Sequence, residues 1–141
     1  MKTKLPPNFI FYHDLRLMVL RDRGTLTRER VKEIVEFLDK EEERTHEPFN
    51  RFTDMSGIDA IELDLSFVYE IALHRRLAYA NRPRVKSAFY VTTPAAAQVV
   101  RVHAFVTKDS PIEVKMFTQL NAAAEWLGVP QEILEIDITS D

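Results

Sequence analysis

The stretch Arg84-Val85-Lys86-Ser87-Ala88-Phe89-Tyr90-Val91-Thr92-Thr93-Pro94 decides the fold. Arg84 to Thr92 reads as a strand, and its apolar centre, Ala88 to Val91, suits a position buried on both faces of a parallel sheet. Thr93-Pro94 then supplies an N-cap and a first-turn proline, where a missing N–H costs little. A buried strand running straight into a capped helix is half of a βαβ unit. The expected class is therefore α/β.

Toward the C-terminus, the helix opened by Pro94 has Val99, Val102 and Val106 as its expected inward stripe. Ser110-Pro111 breaks it, and Ile112 to Phe117 forms the next strand. Thr118 is the expected cap of a final helix with Leu120, Ala123, Ala124 and Leu127 inward, stopped by Gly128 and Pro130. The tail from Gln131 has no decisive pattern.

Toward the N-terminus, Leu65-Ser66 opens a helix with Ser66 as its expected N-cap and Ile71, Ala72, Arg75 and Ala78 on one side. Before it, Phe49 to Thr53 alternates bulky and polar residues and reads as a strand ending at Asp54, with a loop containing Gly57 to follow. Thr27 caps the first helix, with Leu26 against Val31 as a hydrophobic staple and Val31, Ile34, Val35 and Leu38 on its apolar face. The acidic run Glu41-Glu42-Glu43 is expected to fray that helix. Phe9 to Tyr12 and Leu15 to Leu20 read as a hairpin around His13-Asp14, ended by Gly24. The order is ββαβαβαβα over one domain, residues 1–141. It implies a mixed, mostly parallel sheet of about five strands with about four helices, the first strand antiparallel to the others.

Composition narrows the function classes. The 141 residues carry a net charge of −3, which gives no general bias toward nucleic acid. The absence of cysteine excludes disulfides, thiol nucleophiles and thiolate-bound zinc. The opening Met1-Lys2-Thr3-Lys4-Leu5-Pro6-Pro7 lacks an apolar signal core, and no apolar run approaches the ~18 residues of a membrane span, so a cytoplasmic protein is expected. The charge is uneven: Ile71 to Lys108 holds no Asp or Glu but has Arg75, Arg76, Arg82, Arg84, Lys86, Arg101 and Lys108, leaving −10 on the rest of the chain. Such blocks ordinarily form solvated surface; the alternative is a docking face for an anionic partner or a second copy.

In a sheet of this kind, ligands and partners gather where strands end and helices begin. The expected binding edge collects Asp54, Ser56, Gly57, Asp64 and Thr93, most of which also have a sufficient explanation as cap or turn residues. His13, His46, His74 and His103 share no metal-ligand spacing, Ser56 lacks a G-x-S-x-G elbow, and three glycines in all leave no phosphate loop. No catalytic residue, metal site or cofactor is expected. Arg75 stands out, a charge on the apolar side of its helix. It either snorkels past the helix edge or turns toward a carboxylate or a bound anion.

The element order, with Asp54-Met55-Ser56-Gly57-Ile58 closing the third strand and Asp64-Leu65-Ser66 opening the second helix, resembles the STAS domain of anti-sigma-factor antagonists, whose signature is a D-L-S-G-V-like strand end followed by D-S-S-G. It resembles more closely a group of bacterial STAS-like (SpoIIAA-like) proteins without assigned activity. Gly24-Thr25-Leu26-Thr27, Ile71-Ala72 with Arg75, Lys86-Ser87-Ala88-Phe89, Thr93-Pro94, Arg101, Ser110 to Val114 and Glu125-Trp126-Leu127-Gly128-Val129 carry that likeness, from about Leu15 to Val129. The resemblance implies a non-enzymatic, regulatory protein-interaction module whose partner is a protein, kinase- or anti-sigma-like, or a second copy. In the antagonists the second serine of D-S-S-G is the phosphoacceptor, and Ser66 stands at that position. Leu65 replaces the first serine and Phe67 the glycine. The fold is related as well to CRAL-TRIO-type lipid-exchange domains, which implies carriage of a small apolar ligand as the alternative.

Overall fold

A computed structural model describes residues 8–45 and 47–135. Five strands, β1 (Phe9–Tyr12), β2 (Leu17–Leu26), β3 (Asn50–Ile61), β4 (Val85–Tyr90) and β5 (Ile112–Phe117), form one sheet in the order β1-β2-β3-β4-β5. β1 pairs antiparallel with β2, and every other pairing is parallel. The expected α/β class and mixed sheet are borne out. The helices are α1 (Arg28–Arg44), α2 (Leu65–Ala78), α3 (Pro94–Val106), α4 (Leu120–Leu127) and a short α5 (Gln131–Glu135), which begins the tail left without assignment.

Strand alternation sorts the core between two faces. Met18 and Leu20 of β2 lie under Ile34, Phe37 and Leu38 of α1, while Met55 and Ile58 of β3 meet Ala96, Ala97 and Val100 of α3. On the opposite face Leu17, Val19, Phe52 and Ala88 pack against Ala123, Ala124 and Leu127 of α4 and Leu134 of α5. The caps of two helices are as the sequence predicts: Thr27 accepts from Arg30 N–H and Thr93 from Ala96 N–H, both at 3.2 Å. Gly128, at φ 73°, closes α4.

Five expectations are corrected. β2 does not end at Gly24, nor β3 at Asp54. Past Arg21 and Asp54 the two strands continue as a parallel ribbon to Leu26 and Ile61, with register shifts where β3 inserts extra residues. Gly24, at φ 78°, sits at one of these shifts and bends the ribbon instead of stopping it. α1 does not fray at its acidic run, because Glu41 and Glu42 are buried against arginines. α4 is entered from Gln119 and not capped by Thr118, and no side chain closes its first turn. The buried stripe of α3 runs through Ala96, Ala97, Val100 and Val106, with Val99 and Val102 on its flank.

Candidate functional site

The start of α2 is built around Asp64. Its Oδ1 accepts from Phe67 N–H at 2.7 Å, and its Oδ2 receives Arg28 Nη2 at 2.6 Å. The backbone bond from Phe67, then Arg28, hold the Asp64 carboxyl below its usual range. Asp64, and not Ser66, is therefore the N-cap of α2. Ser66 lies exposed in the first turn with its hydroxyl free of capping duty.

From there an apolar line runs down the outer face. Leu65, Tyr69, Leu73 and Leu77 recur every fourth residue and are 46%, 51%, 40% and 68% exposed. Residues four apart are neighbours on a helix, so the side chains form one ridge. Arg76 Nη1 ties the far end of α2 to α3 by donating to the Val106 and Lys108 carbonyls, beside the exposed Phe105.

The remaining edge residues lie elsewhere. Asp54 Oδ1 accepts from both the N–H and the hydroxyl of Ser56 (2.9 and 2.7 Å), while Asp54 Oδ2 receives Arg21 Nη1 at 2.9 Å. Gly57 lies against the backbone of β2 beside Asp22 and Arg23. Asp54 pairs in register with Tyr90, near the β4–α3 turn that Thr93 caps. Met55 to Ile61, at about 3.3 Å per residue, carry the chain roughly 20 Å beyond that point before α2 begins. The predicted edge thus divides in two, Asp54, Ser56, Gly57 and Thr93 on one side of the ribbon and Asp64 with Ser66 at its far end.

Arg75 does not snorkel. It is 4% exposed and turned toward carboxylates: Nη1 donates to Asp39 Oδ1 at 2.6 Å and to Glu42 Oε1 at 3.0 Å, and Nη2 to Glu42 Oε2 at 2.6 Å. Arg51 Nη1 meets Glu42 Oε2 at 2.8 Å from below. Two arginines and two carboxylates so lock α1, α2 and β3 together. Beside them, between the sheet and helices α1, α2 and α3, lies a mainly apolar cavity of about 160 Å³. His103 lines this space, its ring edge-on to Phe89 with centroids 5.7 Å apart. Burial, then the positive charges of Arg75 and Arg51, lower the His103 pKa to about 4.

With this frame the chain is similar to the crystal structure of an uncharacterized DUF3478-family protein from Shewanella loihica PV-4. The TM-score is 0.56 and the identity 17%, over 90% of this chain and 98% of that one, and that protein has a SpoIIAA-like fold. The fold here is SpoIIAA-like. No protein-family model matches the chain, and no curated protein matches it.

Within the SpoIIAA-like frame four residues of the basic stretch point to different partners. Arg75 is buried at the α1–α2 seam and Arg76 reaches carbonyls of the α3 end. Arg82 donates to the Glu42 carbonyl, and Lys86 Nζ donates to the Trp126 carbonyl on the opposite face. The histidines are equally scattered. His13 lies edge-on to Phe11, His74 bonds Asp39, and His46 is outside the described residues. Among the described residues no group of His, Asp and Glu could hold a metal, and no helix is long and apolar enough to cross a membrane. Sequence reasoning missed the exposed ridge of α2, although its spacing of four was there to be read. It also missed the polar residues of the cavity, Thr53, Ser87 and His103, which come from three separate elements and leave no local signal.

Proposed function

We propose that this chain is a non-enzymatic regulatory module of the STAS type that docks a partner protein on the exposed face of α2, with Ser66 as the switch at its head. The ridge Leu65-Tyr69-Leu73-Leu77 carries the reading. A monomeric protein gains nothing by leaving four large apolar side chains in line on one helix, and contiguous exposed apolar surface marks interaction sites. Ser66 adjoins the first of them, beside the positive end of the helix dipole, where a phosphate is tolerated by the fold. It would add nearly two negative charges to the head of the docking face. The partner is a protein with a complementary apolar groove, and a second copy of this chain is the simplest such case. Sedimentation of the wild type and of Tyr69→Asp and Leu73→Asp tests the second copy. Self-association lost in both variants would establish it, and a monomeric wild type would assign the face to a different protein.

A second reading, carriage of a small apolar ligand, is favoured by the cavity beneath α1, α2 and α3. Its volume is close to the ~150 Å³ of an engineered cavity that takes up benzene, and is far below what a whole lipid needs.

A further inference from the structure

Three polar side chains face the cavity. Thr53 on β3 and Ser87 on β4 rise from the sheet floor, and His103 comes from α3 above. Thr53 is the register partner of Phe89, Ser87 precedes Phe89 by two on the same face, and His103 stands on the Phe89 ring, so the three are gathered round one residue. None of the three side chains has a hydrogen-bond partner among the described residues. Their polar atoms are also not among the fully enclosed, unpartnered ones, which are Nε and Nη2 of Arg21 and Nη2 of Arg51. They lie where a molecule in the cavity can touch them. Ser87 is buried and Thr53 and His103 are half-buried, and three unpartnered polar side chains that line one apolar space form the polar end of a binding site.

The charge balance selects the ligand. The ionic groups beside the cavity neutralise one another, Arg51 and Arg75 against Glu42 and Asp39, and Asp22 against Arg30. Nη2 of Arg51 is unpartnered but fully enclosed, so an ionised ligand would find no counter-charge within reach and would have to be desolvated. A purely apolar one would leave two hydroxyls and an imidazole unmet. A hydroxyl group, donor and acceptor at once, complements a neutral imidazole and two alcohols.

We propose that the cavity is a binding site for a small uncharged molecule, an apolar body about the size of a benzene ring bearing one hydroxyl, which Thr53, Ser87 and His103 receive. The proposal rests on the carriage reading and names its ligand class. The test is calorimetric and NMR titration of the whole chain at neutral pH with p-cresol, toluene and 4-methylbenzoate. The expected result is p-cresol binding about tenfold tighter than toluene, the value of one buried hydrogen bond, with no binding of 4-methylbenzoate. His103→Phe should reduce that preference to about threefold or less while toluene still binds, and Ser87→Ala should reduce it in part, which serves if the histidine variant does not fold. Val100→Phe should fill the cavity and abolish binding of all three. Equal affinity for p-cresol and toluene would overturn the polar assignment and spare carriage. Tighter binding of 4-methylbenzoate would overturn the uncharged class. Binding of none would overturn this proposal and the carriage reading together.

Discussion

Arg75 and Glu42 form a two-pronged ion pair at 2.6 and 3.0 Å with side chains only 5% and 3% exposed, joining α2 to the last turn of α1. Removing Arg75 takes two charged hydrogen bonds from buried Glu42 and leaves Arg51 as the cation against it. Arg75→Met is therefore expected to cost about 3–5 kcal/mol, read from the urea midpoint. A loss under about 1 kcal/mol would mean that Arg51 alone can hold Glu42.

The cap of α2 separates stability from regulation. Asp64→Ala should cost about 1 kcal/mol, since it removes the acceptor for Phe67 N–H. Ser66→Ala should stay within about 0.5 kcal/mol of wild type, because Ser66 is exposed and does not cap. Thermal melts of the pair decide it, and a larger loss at Ser66 than at Asp64 would restore Ser66 as the cap.

How far the sequence could be read depends on whether the deciding contacts are local. Thr93-Pro94 and Gly128 act within one turn of the chain, and both helix ends lie where those residues place them. The acidic run at the end of α1 misleads because the partners of Glu42, Arg51 and Arg75, arrive from other elements, whereas Glu41 is paired locally with Arg44. Asp54, Ser56 and Gly57 read as a turn by composition, yet pairing with β2 draws them into a strand and consumes their turn tendency in bulges. That displacement split the expected binding edge. Arg75 was legible as an anomaly, and only the tertiary structure chose between its two explanations.

Gly57 tests the ribbon. A Cβ there would lie 3.0 Å from Arg23 Cγ and 3.1 Å from the Asp22 carbonyl oxygen. The flexible side chain can move, but the carbonyl belongs to the neighbouring strand. Gly57→Ala should destabilise by about 1–3 kcal/mol in chemical denaturation, and an unchanged midpoint would show that the ribbon gives way freely.

His103 makes stability fall in mild acid. Its folded pKa of about 4 lies below the ordinary 6.5, so the unfolded chain takes up a proton that the native ring refuses. Arg51 on β3 and Arg75 on α2 oppose the proton, while Glu42 and Asp39 on α1 are spent on those arginines. Stability from this group is complete above pH 6.5 and is lost as pH falls toward 4, by up to about 3 kcal/mol and less if water in the cavity reaches the ring. Urea titrations at several pH values should show this slope in wild type and a flatter one in His103→Phe. Parallel slopes would assign the acid loss to other groups.

The exposed face of α2 as a docking surface is tested most directly by site-specific photo-crosslinking in the cell of origin. A benzophenone amino acid replaces Leu73 on the ridge or, as control, the exposed Gln98 of α3. One adduct of defined mass is expected from position 73, none from position 98, and loss of that adduct when Ser66→Asp is added. Equal adducts from both positions, or none from position 73, would contradict docking on that face.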